Sequence, residues 1–252
     1  MIRYYCSGFD INDAFGHGLG KMIKSELADT KSIVYIPAGQ ESIEKAQNKY
    51  ISIFTDHFKN AGIQFDKINL IEPNQSSEKV KSLIKNASFV MLMGGDPFKQ
   101  KEMCEKLGII EELKKYDGVI LGMSAGAMLM SKYIIVTPCS DEYPDFHIEE
   151  GLNLDDISIY PHNNTNREEY PEELVSGDET YKKKDLIKVA NKYGKYYLLQ
   201  DYQREDGIFD ISYIKFNNGN IEYYVENNGK IWEASKEINL IYKDNKEKRE
   251  LK

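Results

Sequence analysis

The feature that most limits how this chain can fold is an alternation over residues 32–122. Short apolar segments rich in β-branched and aromatic residues separate longer stretches whose apolar residues recur at helical spacing. Ser32-Ile33-Val34-Tyr35-Ile36-Pro37 reads as a buried strand. A helix over residues 42–60 follows, with Ile43, Ala46, Tyr50, Ile53, Phe54 and Phe58 on one face and Ala61-Gly62 closing it. Residues 65–71 read as a strand, and residues 76–86 as a helix with Val80, Leu83 and Ile84 on one side. A strand over residues 87–93 ends in Gly94-Gly95-Asp96-Pro97; a helix over 99–115 and a strand over 119–122 follow. Strands this apolar leave no face for water, and each helix has one face to bury. The pattern predicts an α/β fold: a mostly parallel sheet flanked by helices on both faces. Such sheets place their sites at the carboxyl ends of the strands. Gly94-Gly95 and Gly122-Met123-Ser124 are therefore expected on one edge.

The pattern changes in the second half. Residues 137–151 are acidic and read as irregular, and residues 157–161 as a short strand running into His162-Asn163-Asn164. Residues 170–180 read as an acidic loop, 182–193 as a helix, and 196–199 as a strand ending in Gln200-Asp201. Extra C-terminal strands are expected over residues 208–216, 221–225 and 230–234. The Asn-Gly dipeptides at Asn218-Gly219 and Asn228-Gly229 are hairpin signals between them. Residues 243–252 are nearly all charged and are expected to fray. No repeat, linker or composition break divides the chain, so a single domain over residues 1–252 is expected.

The net charge of −8 argues against a nucleic-acid partner, which requires a basic surface. No run is long and apolar enough to span a membrane. Met1-Ile2-Arg3-Tyr4-Tyr5-Cys6 lacks the layout of a secretory leader, so a cytoplasmic location is expected. Cys6, Cys104 and Cys139 are far apart and show no metal-ligating spacing. They read as free thiols, and no metal or organic cofactor is implied. The tyrosine-rich C-terminal meander reads as ordinary sheet, with a homodimer interface as its other use.

The stretch after residue 117 carries the chemistry. An apolar run ends in Gly122-x-Ser124-x-Gly126, and the helix-forming Ala127-Met128-Leu129-Met130 follows at once. Strand, sharp glycine turn and helix form the nucleophile elbow, which exposes a serine hydroxyl on a strained turn. The three-residue pattern alone also fits an ordinary strand-to-helix turn. The small Ala125 and Ala127 beside Gly126 favour the elbow, since a mere connection tolerates larger residues there.

A serine nucleophile needs a base, and the base an orienting acid. Of the four histidines, His162 follows a predicted strand and is expected at the Ser124 edge of the sheet. His147, in the acidic segment, is the runner-up. His57 is expected on the surface or rim of its helix, and His17 lies in the glycine-rich Phe15-Gly16-His17-Gly18-Leu19-Gly20. Asp201, at another strand end, and Asp141, between Ser124 and His162, compete as the acid. The N–H groups of Ala125 and Gly95 are the expected oxyanion donors.

Three ordered motifs resemble the aspartyl dipeptidase and cyanophycinase family of serine peptidases. They are Met93-Gly94-Gly95-Asp96-Pro97-Phe98, Gly122-Met123-Ser124-Ala125-Gly126-Ala127 and Ile159-Tyr160-Pro161-His162-Asn163. The resemblance covers about residues 30 to 210 and implies a fold like the class I glutamine amidotransferases. It implies Ser124 as nucleophile, His162 as base and Asp201 as the acid, with Asp141 matching a further aspartate that matters in the dipeptidases. It also implies oxyanion donors at Gly95 and Ala125, with Asp96 beside them in the substrate-binding turn. Aspartyl dipeptidases carry an arginine that reads the substrate carboxylate; here a tyrosine falls at that place, within residues 177–182. Arg167 and Lys182 are the nearby cations that would replace it. The expected activity is a dipeptidase-like serine peptidase acting on small peptides through an acyl-enzyme. An esterase of the α/β-hydrolase type is the alternative, although no histidine follows His162. A ligand-binding domain without turnover is the other alternative.

Overall fold

Three apolar runs of the first half become inner strands of a seven-stranded sheet, and the run at 67–70 becomes its edge. The computed structural model describes residues 1–8, 15, 18–39, 43–138, 144–163, 173–176, 179–203, 209–225 and 229–243. Along the chain come β1 (Ile2–Cys6), α1 (Leu19–Glu26), β2 (Ser32–Ala38), α2 (Ile43–Lys45), a π-helical turn (Ala46–Tyr50), α3 (Ile51–Asn60) and β3 (Lys67–Leu70). There follow α4 (Ser77–Lys85), β4 (Phe89–Gly95), α5 (Pro97–Lys106), α6 (Ile110–Lys115), β5 (Val119–Met123) and α7 (Ala125–Met130). The second half adds β6 (Tyr133–Val136), β7 (His147–Glu150), β8 (Ile159–Tyr160), β9 (Glu173–Ser176), β10 (Glu179–Lys182), α8 (Lys183–Tyr193) and β11 (Tyr196–Leu199). It closes with β12 (Tyr202–Gln203), β13 (Phe209–Asp210), β14 (Ser212–Asn217), β15 (Asn220–Val225), β16 (Lys230–Ala234) and β17 (Ile238–Lys243).

The main sheet runs β15-β14-β1-β5-β4-β2-β3. Its members from β1 to β3 are parallel, and the β14–β15 hairpin adds antiparallel to β1. Alternate residues of each central strand enter two cores. Tyr4, Tyr35, Met91 and Leu121 meet Leu19, Phe54 and Phe58 on one face. Tyr5, Val34, Val90 and Ile120 meet Val80, Met103, Leu113 and Leu129 on the other. Both faces are dry, so the strands show no polar alternation.

A second, four-stranded sheet, β17-β16-β11-β8, pairs β8 and β11 in parallel and packs on α8 through Leu186, Leu198 and Trp232. This separation corrects the expectation that the strands bearing His162 and Asp201 share a sheet with Ser124. A local hydrophobic pattern marks a strand but carries no information on which strand it pairs with.

Other differences are local. The helix expected over 99–115 breaks at Gly108, whose φ of +64° ends α5 before α6 begins. The segment read as irregular over 137–151 contains β7, which pairs antiparallel with β6. The acidic stretch read as loop over 170–180 contains β9 and the start of β10, which pair antiparallel. Charged residues interrupt the β-propensity signal of these strands, and cross-strand hydrogen bonds supply what propensity does not. Strand β1, central to the sheet, lies in a segment weighed only as a possible leader. Cys6 and Cys104 are buried, while Cys139 and the charged tail at 244–252 lie outside the described residues.

Candidate active site

Ser124 joins β5 to α7 at φ 51° and ψ −111°. That conformation costs a side-chain-bearing residue about 1–3 kcal/mol and persists only where the surroundings enforce it. Two glycines let the turn close. A Cβ on Gly122 would lie 2.6 Å from Ala127 N and from Met130 Sδ. On Gly126 it would lie 2.6 Å from the Leu92 carbonyl carbon of β4 and closer still to its oxygen. The Ser124 N–H donates to the Cys6 carbonyl at 2.9 Å, tying the elbow to the end of β1.

The second sheet delivers two more groups to the same point. His162 follows β8 and Asp201 follows β11, so the parallel pairing of those strands puts both residues at one end. His162 Nε2 lies 2.7 Å from Ser124 Oγ, and His162 Nδ1 lies 2.6 Å from Asp201 Oδ2. A carboxylate at Nδ1 keeps the proton there and leaves the Nε2 lone pair for the serine O–H. The Asp201 side chain is 9% exposed and the imidazole 45%. Burial pulls the His162 pKa down, but the hydrogen bond and negative charge of Asp201 outweigh it and hold the value above the ordinary histidine range.

The sequence did not point to Ser7. Its Oγ accepts the His162 N–H at 3.2 Å and donates to Asp201 Oδ1. The signal was present: Ile2-Arg3-Tyr4-Tyr5-Cys6 is a strand-like run ending in Ser7-Gly8, the same run-then-glycine form as the other site strands. Gln100 is the other buried group that sequence reasoning missed. Its Nε2 donates to Ile36 O at 2.8 Å and Met93 O at 3.2 Å, bridging β2 and β4 where Pro37 has no N–H and the register shifts.

Gly95 ends β4 at φ +137°, a conformation that requires glycine. A Cβ on its neighbour Gly94 would touch Ser124 Cβ at 3.6 Å, so this strand end lies against the serine. Ala125 opens α7 directly after Ser124. Asp96 caps α5, its carboxylate accepting the N–H of Phe98 at 2.8 Å and of Lys99 at 3.1 Å. His147 is on β7 with Nε2 3.1 Å from Glu149 Oε1 and its ring edge-on to Phe98; the base position is filled by His162. His57 is buried on α3 against Phe15 and Phe54, because it lies three residues after Phe54 on the core face; this corrects the rim placement. Asp141, Arg167 and His17 lie outside the described residues. Among the described residues, no three His, Cys, Asp or Glu side chains gather as a metal site.

A strained serine at a strand-to-helix turn, linked through a histidine to a buried aspartate, is the constellation of a serine hydrolase. The sheet order and the elbow place it among α/β enzymes that work at strand ends. The chain belongs to peptidase family S51, whose sequence profile matches residues 7–192. This is the aspartyl dipeptidase and cyanophycinase family that the three motifs resemble, and the protein is a serine-type peptidase. Among solved structures, a peptidase from an acI-B1 Actinobacterium matches with a TM-score of 0.60 and 15% identity, over 97% of this chain and 95% of that one. A protein assigned as peptidase E from Listeria monocytogenes EGD-e matches with a TM-score of 0.50 and 17% identity, over 71% of this chain and 96% of that one. At these identities the likeness establishes the fold. No curated relative matches the chain.

Proposed function

We propose that the protein is a cytoplasmic, dipeptidase-like enzyme that cleaves short peptides through an acyl-enzyme on Ser124. The observation that carries this reading is the Ser124–His162–Asp201 relay, with contacts of 2.7 and 2.6 Å around a serine held at φ 51°. His162 Nε2 takes the Ser124 proton as Oγ attacks the scissile carbonyl carbon. The N–H groups of Ala125 and Gly95 hold the resulting oxyanion. Collapse breaks the C–N bond, and His162 returns the proton to the leaving amine. Water then attacks the ester as His162 accepts its proton; the acyl C–O bond breaks, His162 returns that proton to Ser124 Oγ, and the acid product leaves. Asp201 keeps the ring oriented and stabilises its charged form.

The substrate class rests on the family resemblance. Asp-Xaa recognition requires a cation in place of the family's arginine, and Arg167 and Lys182 are the candidates. The test has two parts. A fluorophosphonate probe should label the wild-type protein and leave Ser124→Ala unlabelled. A panel of dipeptides and blocked peptides, Asp-Xaa included, should be hydrolysed by the wild type alone. Turnover of esters with none of these peptides would overturn the reading. Labelling that survives Ser124→Ala would assign the nucleophile elsewhere.

A further inference from the structure

We propose that Ser7 is a positioning residue of the relay, whose single hydroxyl fixes both the acid and the backbone that carries the base. This rests on the reading of Ser124, His162 and Asp201 as a catalytic relay. Ser7 is wholly buried, at the end of the central strand β1, and its own N–H donates to Ser212 O on β14 at 3.1 Å. The hydroxyl is therefore mounted on the main sheet, while His162 and Asp201 hang from the ends of β8 and β11 on the other sheet.

Two features need such an anchor. His162 has a backbone φ of 58°, strained for a residue with a side chain. Its N–H is held by Ser7 Oγ, and the next N–H, of Asn163, by Leu199 O at 2.9 Å. These two bonds pin the strained residue on both sides. Asp201 has two carboxylate oxygens: Oδ2 accepts from His162 Nδ1, and Oδ1 accepts from Ser7. The Ser7 donor stabilises the ionised carboxylate and draws negative charge away from Oδ2. Ser7 thus both orients the acid and tempers its hold on the imidazolium. Hydrogen bonds to a charged acceptor are the strong class, so one buried hydroxyl can matter for both residues.

The groups facing His162 are few. The end of β1 presents Ser7 and Gly8, whose added Cβ would lie 3.5 Å from His162 Cε1. The turn before α7 presents the uncharged Ser124. Asp201 is the one charged group acting on the ring among the described residues. A change at Ser7 therefore reaches His162 through Asp201 and through the backbone bond.

The experiment compares wild type, Ser7→Ala and Ser7→Thr by two readouts. An NMR titration follows the His162 ring, identified by the signal absent from His162→Gln. The pH profile of fluorophosphonate labelling follows Ser124. In Ser7→Ala the His162 midpoint should rise by half a unit or more, and labelling at neutral pH should slow roughly 10-fold or more. Ser7→Thr, which keeps the hydroxyl, should restore the wild-type midpoint. A midpoint unchanged or lowered in Ser7→Ala, in a variant that still folds, would overturn the proposal even if labelling slowed. Failure of both variants to restore or shift the midpoint would do the same. A wild type that resists labelling, with the midpoint still rising in Ser7→Ala, would sink the catalytic reading while upholding the Ser7 contact.

Discussion

Gly126→Ala tests the link between fold and nucleophile most directly. The new Cβ would lie 2.6 Å from the carbonyl carbon of Leu92 and closer to its oxygen. Carbon atoms pack best at about 3.5–4.0 Å, so relief demands a shift of about 1 Å. The obstacle is backbone, and Leu92 lies in β4 between β2 and β5, paired with Ile36 and Gly122. No rotamer change can remove the clash. Overpacking in a tight core costs typically about 1–3 kcal/mol, and a backbone obstacle in a central strand puts this case at the upper end. For a domain of this size each kcal/mol lowers Tm by about 2–4 °C, so a fall of about 6–12 °C is expected. The same 1 Å displacement separates Ser124 from the Gly95 end of β4. A misplacement of that order slows a positioned reaction by roughly 100-fold. The assays are thermal unfolding and the second-order rate of fluorophosphonate labelling. Gly219→Ala is the control: its φ of +91° strains alanine, but no atom lies within 4 Å of the added Cβ. That variant should lose some stability and label at the wild-type rate. If Gly126→Ala melts within about 2 °C of wild type and labels normally, the wedge between elbow and strand is not what positions Ser124.

Three further outcomes are expected. The base must be neutral, and Asp201 holds the His162 pKa above its ordinary value of about 6.5, so labelling should rise with pH along a limb centred above that value. By linkage, the stabilisation from the charged pair is full below pH about 6.5 and is lost as pH rises through the folded-state value; stability and activity should therefore change in opposite directions. Asp201→Asn should move that limb down and slow turnover by roughly 10,000-fold, because the wrong ring nitrogen then carries the proton. A limb that stays in place would contradict the assignment of Asp201. Asp155→Ala should destabilise the fold by about 3–5 kcal/mol in urea unfolding, because it strands a buried guanidinium. Arg3 pairs with Asp155 at side-chain exposures of 6% and 1%, and Tyr5 also donates to this carboxylate at 2.6 Å. The double variant Arg3→Met/Asp155→Leu should recover most of the loss.

The elements over residues 32–122 were legible because their signals are local. Buried parallel strands need continuous apolar runs, and each covering helix needs one apolar face, so residues 32–122 announce their layers without any knowledge of contacts. The elbow was legible for the same reason: glycine, serine and glycine at alternate positions express a backbone conformation that only that spacing permits. The strands β7, β9 and β10 were not legible, because their charged residues break the apolar alternation that marks a strand, and pairing supplies what propensity does not. The apolar β6 carried a strand signal that was passed over between the elbow helix and the acidic segment. His57 was misjudged by one helical position, the margin between a core face and its rim.

By itself, then, the sequence determined the candidates: a serine at an elbow motif, with two histidines as bases and two aspartates as acids to serve it. Tertiary structure brought three of them together, Ser124, His162 and Asp201. It hung His162 and Asp201 on parallel strands of a second sheet and brought that sheet's end against the elbow of the first. It also placed Ser7, at the end of a strand-like run that the sequence reading passed over, against both. The physical reason is that periodicity reports what a residue buries, whereas a hydrogen-bonded relay depends on which strands pair and in what register. Those pairings are long-range, and no local pattern encodes them.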